Sequence, residues 1–213
     1  MGNKRDKGFF VVIDGCDGAG KSTVSKEVVA RLGWNAIYTK EPGGTPFSEK
    51  LREIILSDDA KLTDAKTQFA LFWSARRDHL INKVLPALEK GKIVVIDRFD
   101  SSTFAYQIVA HGNHDLEDLF WKTREIFLEG VEPDLYILLD VHPKEAQKRI
   151  YNSKKDINHF DSMRLDFHEK VYLGLKRFIG DFIDNGHIVN AKNDLNIVVD
   201  DVVSAIESFI KPI

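Results

Sequence analysis

A glycine-rich turn near the start of the chain has the composition of a phosphate-binding loop. It comprises Gly15, Cys16, Asp17, Gly18, Ala19, Gly20, Lys21, Ser22 and Thr23. From its first glycine to its serine it matches the pattern G-x-x-x-x-G-K-[ST], in which backbone N–H groups and the lysine surround phosphate oxygens and the hydroxyl reaches a metal ion. An apolar run precedes it and a helix-forming run follows, so we interpret it as a nucleotide-binding loop rather than an ordinary strand-to-helix turn.

A second polar pair follows a later apolar run. Asp97 and Arg98 directly follow the apolar residues of the segment IVVIDRF. A carboxylate at the end of a buried strand can position Mg²⁺ beside the Ser22 hydroxyl, and a planar guanidinium can contact two phosphoryl oxygens. Either residue alone could form a plain ion pair at a strand end. Together, beside a phosphate loop, they predict phosphoryl chemistry.

A basic segment late in the chain is a candidate for a mobile lid. The stretch KRIYNSKKDINHF carries Arg149, Lys154 and Lys155, and the lid would span about residues 150–161. Phosphoryl transfer needs the reacting groups shielded from water, which closing segments often provide. A solvated charged loop would have the same composition, so composition alone leaves both interpretations open.

An aromatic residue and an arginine share one face of a predicted helix. Phe72 and Arg76 are four residues apart in TQFALFWSARRDHL, which places a ring beside a guanidinium. This pair suits a nucleobase. Aromatic residues on a helix are more often core, and we expect Phe69 and Trp73 to be buried.

Composition limits the possible functions. The net charge of −3 argues against nucleic acid as the main partner, and the single cysteine excludes an internal disulfide. The seven histidines have no metal-ligand spacing, and the sequence shows no membrane segment or signal peptide. We therefore expect a cytoplasmic protein with one domain over residues 1–213.

The elements that must position these residues alternate along the chain. Five apolar runs of strand length are separated by helical patterns: FFVVID, NAIYTK, KIVVID, DLYILLDV and GHIVN. Continuous apolar runs of this kind are typical of parallel strands buried on both faces. The sequence thus predicts an α/β fold, a doubly wound parallel five-stranded sheet with helices on both faces. Its crevice should lie at the carboxyl ends of the strands, where the phosphate loop and Asp97 emerge.

Four motifs in this order resemble those of the bacterial thymidylate kinases. They are DGCDGAGKST, KEPGGTPFSEKLR, LFWSARR and DRFDSSTFAYQ. The resemblance spans nearly the whole chain. It implies a P-loop nucleoside monophosphate kinase fold, transfer of the γ-phosphoryl group from ATP to dTMP, a requirement for Mg²⁺, and a homodimer.

The resemblance also implies roles for individual residues. Asp17 would contact the 3′-hydroxyl of the acceptor sugar, Phe72 would stack on thymine, and Arg76 would lie beside the base. Thr103 would face the base N3, and Tyr106 would lie under the deoxyribose where it excludes a 2′-hydroxyl. The remaining substrate contacts implied by the motifs come from Lys40, Pro42, Arg98 and Gln107.

Three departures from the family pattern concern positive charge. Gly18 stands where some members have a catalytic arginine, so this chain resembles the group in which lid residues supply that charge. That group usually has lid arginines, whereas this segment offers Lys154 and Lys155 with Arg149 just before them. Lys40 stands where an arginine is usual.

Two other functions are compatible with a phosphate loop: a kinase for another nucleotide and a GTP-binding switch. A kinase for a different nucleoside or nucleotide would share the loop, but the set of Phe72, Arg76, Thr103 and Tyr106 favours thymidylate. A GTP-binding switch would need a D-x-x-G element at a strand end, and the segment that begins at Asp97 lacks its glycine.

Overall fold

The computed structural model describes residues 8–152, 160 and 163–210. Within these residues, five parallel strands form one sheet in the order β2-β3-β1-β4-β5. The strands are β1 (Phe9–Asp14), β2 (Ala36–Lys40), β3 (Ile93–Asp97), β4 (Leu135–Asp140) and β5 (Gly186–Asn190). The predicted strands and their parallel arrangement are confirmed.

Helices connect the strands in the described part of the chain. They are α1 (Lys21–Leu32), α2 (Pro46–Leu56), α3 (Ala65–His79), α4 (Leu85–Glu89), α5 (Asp100–Thr103), α6 (Glu117–Leu128), α7 (Pro143–Asn152), α8 (Leu165–Phe182) and α9 (Leu195–Ile210). Side chains begin two of them as the sequence suggests, because Thr45 accepts from the Ser48 N–H and Asp64 accepts from the Thr67 N–H.

Two helical stretches that read as regular in the sequence contain π-helical segments. The run from α3 to α4 widens at Leu80–Val84, and the helix after β3 widens at Phe104–Ala110. Such segments often occur at functional sites. The second one carries Tyr106 and Gln107, both predicted substrate contacts.

The sheet is buried on both faces because strand residues alternate between two cores. Phe10 and Val12 of β1 pack with residues of α3, α6 and α8, whereas Val11 and Ile13 pack with α1 and α9. This alternation follows from the two-residue period of a strand. It fixes the sheet between two helical layers and brings the carboxyl ends of β1, β2 and β3 to one edge.

Some predictions about organisation stay predictions. The single domain over residues 1–213 and the lid at about 150–161 are not decided by the described residues, and Lys154 and Lys155 lie outside them. No helix in the described ranges is both long and apolar enough to cross a membrane.

The aromatic core on the α6 side gives a test of the fold. Phe120 is fully buried, and its ring centroid lies 5.0–6.1 Å from those of Trp73, Phe104, Trp121 and Phe178. We expect Phe120→Ala to lower the free energy of unfolding by about 3–5 kcal/mol in urea titrations, since the ring leaves a cavity. Leu62→Ala is the control, because that side chain is 88% exposed. Equal effects of the two substitutions would contradict this packing.

Candidate active site

One cleft of about 490 Å³ opens at the carboxyl edge of the sheet and joins most of the predicted site residues. The strand register explains this, because Asp97 pairs with Ile13 on one side and with Lys40 on the other. The predicted residues that line the cleft are Asp17, Gly18, Gly20, Lys21, Ser22, Thr23, Lys40, Pro42, Phe72, Asp97, Arg98, Thr103, Tyr106, Gln107 and Arg149.

The phosphate loop leads directly into α1. Gly20 adopts a left-handed conformation with φ of 96°, and the helix begins at Lys21. The Lys21 ammonium donates to the carbonyl oxygens of Gly15 and Cys16 at 3.0 and 2.9 Å. Burial, together with repulsion from Arg98, lowers the pKa of Lys21 from its ordinary value. A partly desolvated cation so held is suited to meet phosphate oxygens.

The predicted metal-site residues lie in contact with each other. The Ser22 hydroxyl donates to Asp97 Oδ2, which joins the start of α1 to the end of β3. A hydroxyl and a carboxylate oxygen are hard donors that suit Mg²⁺, which keeps several waters and binds through few protein oxygens and substrate phosphates. The described residues include no cluster of three or more His, Cys, Asp or Glu side chains that could hold a metal by themselves, so these donors fit an ion brought by a nucleotide.

Arg98 connects the phosphate loop to the helix after β3. Its backbone has φ of 68°, unusual for a residue other than glycine, and its Nη2 donates to Asp17 Oδ1. Its Nη1 donates to Ser102 Oγ at 2.9 Å. The Tyr106 hydroxyl completes the group by donating to Asp17 Oδ2 at 2.6 Å.

These contacts control the ionisation of Asp17. Burial alone would raise its pKa, but Arg98, Lys21 and the Tyr106 hydroxyl outweigh that effect and lower the pKa to about 2. Burial raises the pKa of Tyr106 well above its ordinary value. Asp17 therefore stays an acceptor and Tyr106 a donor at neutral pH.

Sequence reasoning missed the carboxyl group that supports this network. Asp14 ends β1, is fully buried, and accepts from the Gly15 N–H at 2.8 Å and from the Ser101 and Ser102 hydroxyls at 2.6 and 2.9 Å. Burial raises its pKa despite the attraction of Arg98. The signal in the sequence was an acidic residue ending an apolar run one position before the loop glycine.

The far end of the cleft is aromatic. Phe72 lines it and packs against Phe160 with the ring centroids 6.3 Å apart, and Phe160 lies 5.9 Å from Tyr106. Phe69 and Trp73 are buried, as predicted. Phe160 ends the predicted lid segment KRIYNSKKDINHF, but only the basic residues of that segment indicated chemistry, so Phe160 itself was missed.

Arg76 occupies a deeper position than its spacing from Phe72 suggested. Its side chain is buried in the wall of the cleft, where Nε donates to Glu41 Oε2 at 2.8 Å and Nη2 donates to Thr103 Oγ1 at 3.0 Å. The segment KEPGGT predicts substrate contacts at Lys40 and Pro42. The ion pair between Glu41 and Arg76 was not predicted from the sequence. Arg52, also missed, lines the cleft and donates to the Pro42 carbonyl at 2.9 Å.

The remaining predicted residues divide into two kinds. Arg149 lines the cleft from α7 and donates to the Ala191 carbonyl at 2.9 Å. Gly15, Cys16 and Ala19 do not line it, and the last two side chains pack into the core beneath the loop. Burial raises the pKa of the Cys16 thiol to about 11, so it is not poised as a nucleophile.

Gly18 shows why this loop has no arginine at that position. Its φ is 83°, and a Cβ there would overlap the Ala146 carbonyl oxygen of α7. The loop therefore packs directly on the backbone of α7. A side chain at residue 18 would have to displace that helix.

A parallel sheet with a phosphate loop after its first strand, joined by one cleft to an aromatic pocket, defines a P-loop kinase of the nucleoside monophosphate type. The family model described as thymidylate kinase matches residues 13–202. The chain therefore belongs to the thymidylate kinase family, as its motifs predicted.

Individual relatives agree with the family match. The chain is 36% identical to the thymidylate kinase of Clostridium novyi over 210 residues, covering 97% of this chain and all of the relative. It is 37% identical to that of Bacillus velezensis, covering 97% and 98%. The crystal structure of thymidylate kinase from Ehrlichia chaffeensis has a TM-score of 0.76 at 25% identity, covering 94% of this chain and 99% of that one.

The contact between the loop and α7 yields a prediction. Gly18→Ala should lower the free energy of unfolding by more than ~2 kcal/mol, because a left-handed backbone and a clash with Ala146 act together. Gly20→Ala is the matched control, since a Cβ there meets nothing within 4 Å and the cost is about 1–2 kcal/mol of backbone strain alone. Urea unfolding measures both, and a Gly18 variant as stable as the Gly20 variant would refute the clash.

Proposed function

We propose that the protein transfers the γ-phosphoryl group of ATP to the 5′-phosphate of dTMP, giving dTDP and ADP. The observation that carries this proposal is the single cleft, which runs from the phosphate loop past Arg98 to the aromatic pocket around Phe72. A donor and an acceptor bound in one cleft can meet in line. Such positioning, with charge neutralisation, accounts for most of the catalysis of phosphoryl transfer.

The donor end comprises the loop and the start of α1. Backbone N–H groups of residues 15–23 and the Lys21 ammonium would hold the β- and γ-phosphates of ATP. Ser22 and Asp97 would hold Mg²⁺ or its waters, and the ion would neutralise charge on the phosphates when bound. The Lys21 ammonium would exchange its bonds to the Gly15 and Cys16 carbonyl oxygens for bonds to those phosphate oxygens.

The aromatic end of the cleft would bind the acceptor nucleotide, dTMP, through several residues. The Asp17 carboxylate would accept a hydrogen bond from the 3′-hydroxyl, Phe72 would stack on thymine, and Thr103 and Gln107 would face its polar edge. Tyr106 would lie under the sugar and exclude a 2′-hydroxyl. Both Thr103 and Gln107 are almost completely buried in the wall of the cleft, which suits recognition of a base shielded from water.

Cations along the cleft would neutralise the transferring group. Arg98 bonds to the loop residue Asp17, and Lys40, Pro42 and Arg52 also line the cleft. Arg149 is the described member of the predicted lid charges. Lys154 and Lys155 stay proposals for the lid, which would close over the donor.

A panel of acceptors tests the reaction. In a coupled ADP assay with Mg·ATP, we expect dTMP to have the highest kcat/KM among dTMP, dUMP, dCMP, dGMP and UMP. Preference for another acceptor would replace the proposal by a different nucleotide kinase. Calorimetric preference for GTP over ATP would instead support a switch protein.

We further propose a homodimer in the cytoplasm. Phe47 and Ile54 of α2 and Leu119 and Ile126 of α6 expose about half or more of their surface, and both helices pack against α3. Exposed apolar side chains on neighbouring elements favour association with a second copy. Sedimentation velocity at micromolar concentration measures this directly. The cytoplasmic location stays a prediction from the chemistry of the substrates.

Lys21→Met should lower kcat at least about 10²–10³-fold, because the lysine meets charge that grows during transfer. Lys26→Met is the control, since Lys26 lies on the same helix but is exposed. Steady-state kinetics with far-UV circular dichroism separates catalysis from folding. A near-normal kcat in a folded Lys21 variant would remove the basis of the donor site.

Phe72→Ala should weaken dTMP binding by roughly 1–3 kcal/mol, the range for loss of a ring that stacks on a base. Phe69→Ala is the matched control on the same helix, because Phe69 is buried in the core and does not line the cleft. We expect the control to lower the melting temperature but not the dTMP affinity measured by calorimetry. If both variants bind dTMP like the parent, Phe72 is a core residue.

A further inference from the structure

A buried chain of polar side chains lies behind the base end of the cleft. Glu41, Arg76 and His79 are 5%, 1% and 0% exposed. None of them has a place in phosphoryl transfer itself. Groups of this kind are costly to bury and are retained only when each is paired.

The direction of the hydrogen bonds in this chain follows from its chemistry. Glu41 Oε1 lies 3.2 Å from His79 Nδ1, and a carboxylate can only accept, so the imidazole carries its proton on Nδ1. The other ring nitrogen, Nε2, lies 2.7 Å from Thr39 Oγ1, which can donate to it. The second oxygen of Glu41 accepts from Arg76 Nε at 2.8 Å. His79 and Arg76 thus fix the two oxygens of one carboxylate, and Thr39 holds the imidazole from its other side.

The Arg76 guanidinium is held on every side except one. Its Nη2 donates to the Phe99 carbonyl at 2.9 Å and to Thr103 Oγ1 at 3.0 Å, and its Cζ lies 4.6 Å from the centroid of the Trp73 ring. Its Nη1 is buried and has no hydrogen-bond partner within the described ranges. Arg76 bonds to two residues that line the cleft, Glu41 and Thr103, so its guanidinium lies directly behind the cleft wall.

Glu41 is the first residue of the loop that follows β2, and this loop packs against α3. The Glu41 N–H donates to the Asp97 carbonyl at 2.9 Å. A Cβ on Gly44 would lie 2.5 Å from His79 Nε2, so the loop backbone packs directly against the imidazole. The loop and α3 therefore hold each other in register through Glu41 and His79.

We propose that Glu41 and His79 are positioning residues for base recognition: they fix the Arg76 guanidinium so that Nη1 is presented as a donor to an acceptor atom of the base. The proposal rests on the proposed role of Arg76 beside the base. It extends that role to two side chains that would act on the base through Arg76, and it makes Glu41 a determinant of specificity. A fixed donor favours pyrimidines with a carbonyl at C4 over cytosine, whose amino group is itself a donor.

The test is the affinity of the full-length protein for dTMP and dCMP, measured by calorimetry. Glu41→Ala should weaken dTMP binding at least tenfold, leave dCMP binding within threefold, and leave the Kd of ATP within twofold. Glu41→Gln should recover most of the affinity, because its amide oxygen can still accept from Arg76 and His79 can change tautomer. Unchanged dTMP affinity in Glu41→Ala would overturn the proposal.

A matched control separates positioning from general destabilisation. Glu129 pairs with Arg77, the next residue of α3, at 2.9 Å on the surface. Glu129→Ala should leave all three affinities unchanged. If it weakens dTMP binding as much as Glu41→Ala does, the effect comes from disturbing α3 and the proposal fails.

A double-mutant cycle with Arg76→Met identifies the route of the effect. If Glu41 acts through Arg76, adding Glu41→Ala, or Glu41→Gln should the alanine variant not fold, changes dTMP affinity less than twofold further. Multiplicative losses would overturn the positioning role while leaving Arg76 as a base contact. If Arg76→Met itself binds dTMP like the parent protein, the proposed role of Arg76 fails first, and the inference fails with it.

Discussion

The ion pair between Arg98 and Asp17 is the interaction on which the arrangement of the site depends. It joins the phosphate loop after β1 to the segment after β3, so the two parts of the cleft cannot be placed independently. Burial alone would lower the pKa of Arg98, but Tyr106 and Asp17 outweigh it and keep the guanidinium charged. Two cations, Lys21 and Arg98, can coexist in one buried site because carboxyl groups surround them.

The backbone conformation of Arg98 is related to its ion pair with Asp17. The side chain of Arg98 must turn back from the strand end toward the loop, and its residue has a positive φ. The unusual conformation is stabilised because its guanidinium bonds to Asp17 and Ser102. Tyr106, which lies four residues after Ser102 in the π-helical segment, completes the group by donating to Asp17. Loop, strand end and helix are thereby fixed in one geometry that a nucleotide pair can use.

Much of the fold could be predicted from the sequence, and less of the site. The five strands were predictable because continuous apolar runs and helical periods are local signals, and the loop because its glycines and lysine have fixed spacing. Asp14 and Glu41 were not predictable, since their importance comes from partners at positions 101 and 76 that only the folded sheet brings near. The same holds for Arg76, whose spacing indicated its helical face but not its depth. Arg98 was found because its position beside a strand-end carboxylate carries chemical meaning.

The dependence of the site on Arg98 is measured most directly by the single-turnover rate of phosphoryl transfer in Arg98→Met. The reaction is followed by rapid quench with labelled ATP and saturating dTMP. We expect a loss of at least about 10³-fold, since charge in a water-excluded site acts mainly on the transition state. Arg177→Met, which breaks a pair with Glu117 on the partly exposed part of α8, should transfer at the parental rate. An Arg98 variant that transfers as fast as this control would show that the ion pair with Asp17 is dispensable for phosphoryl transfer.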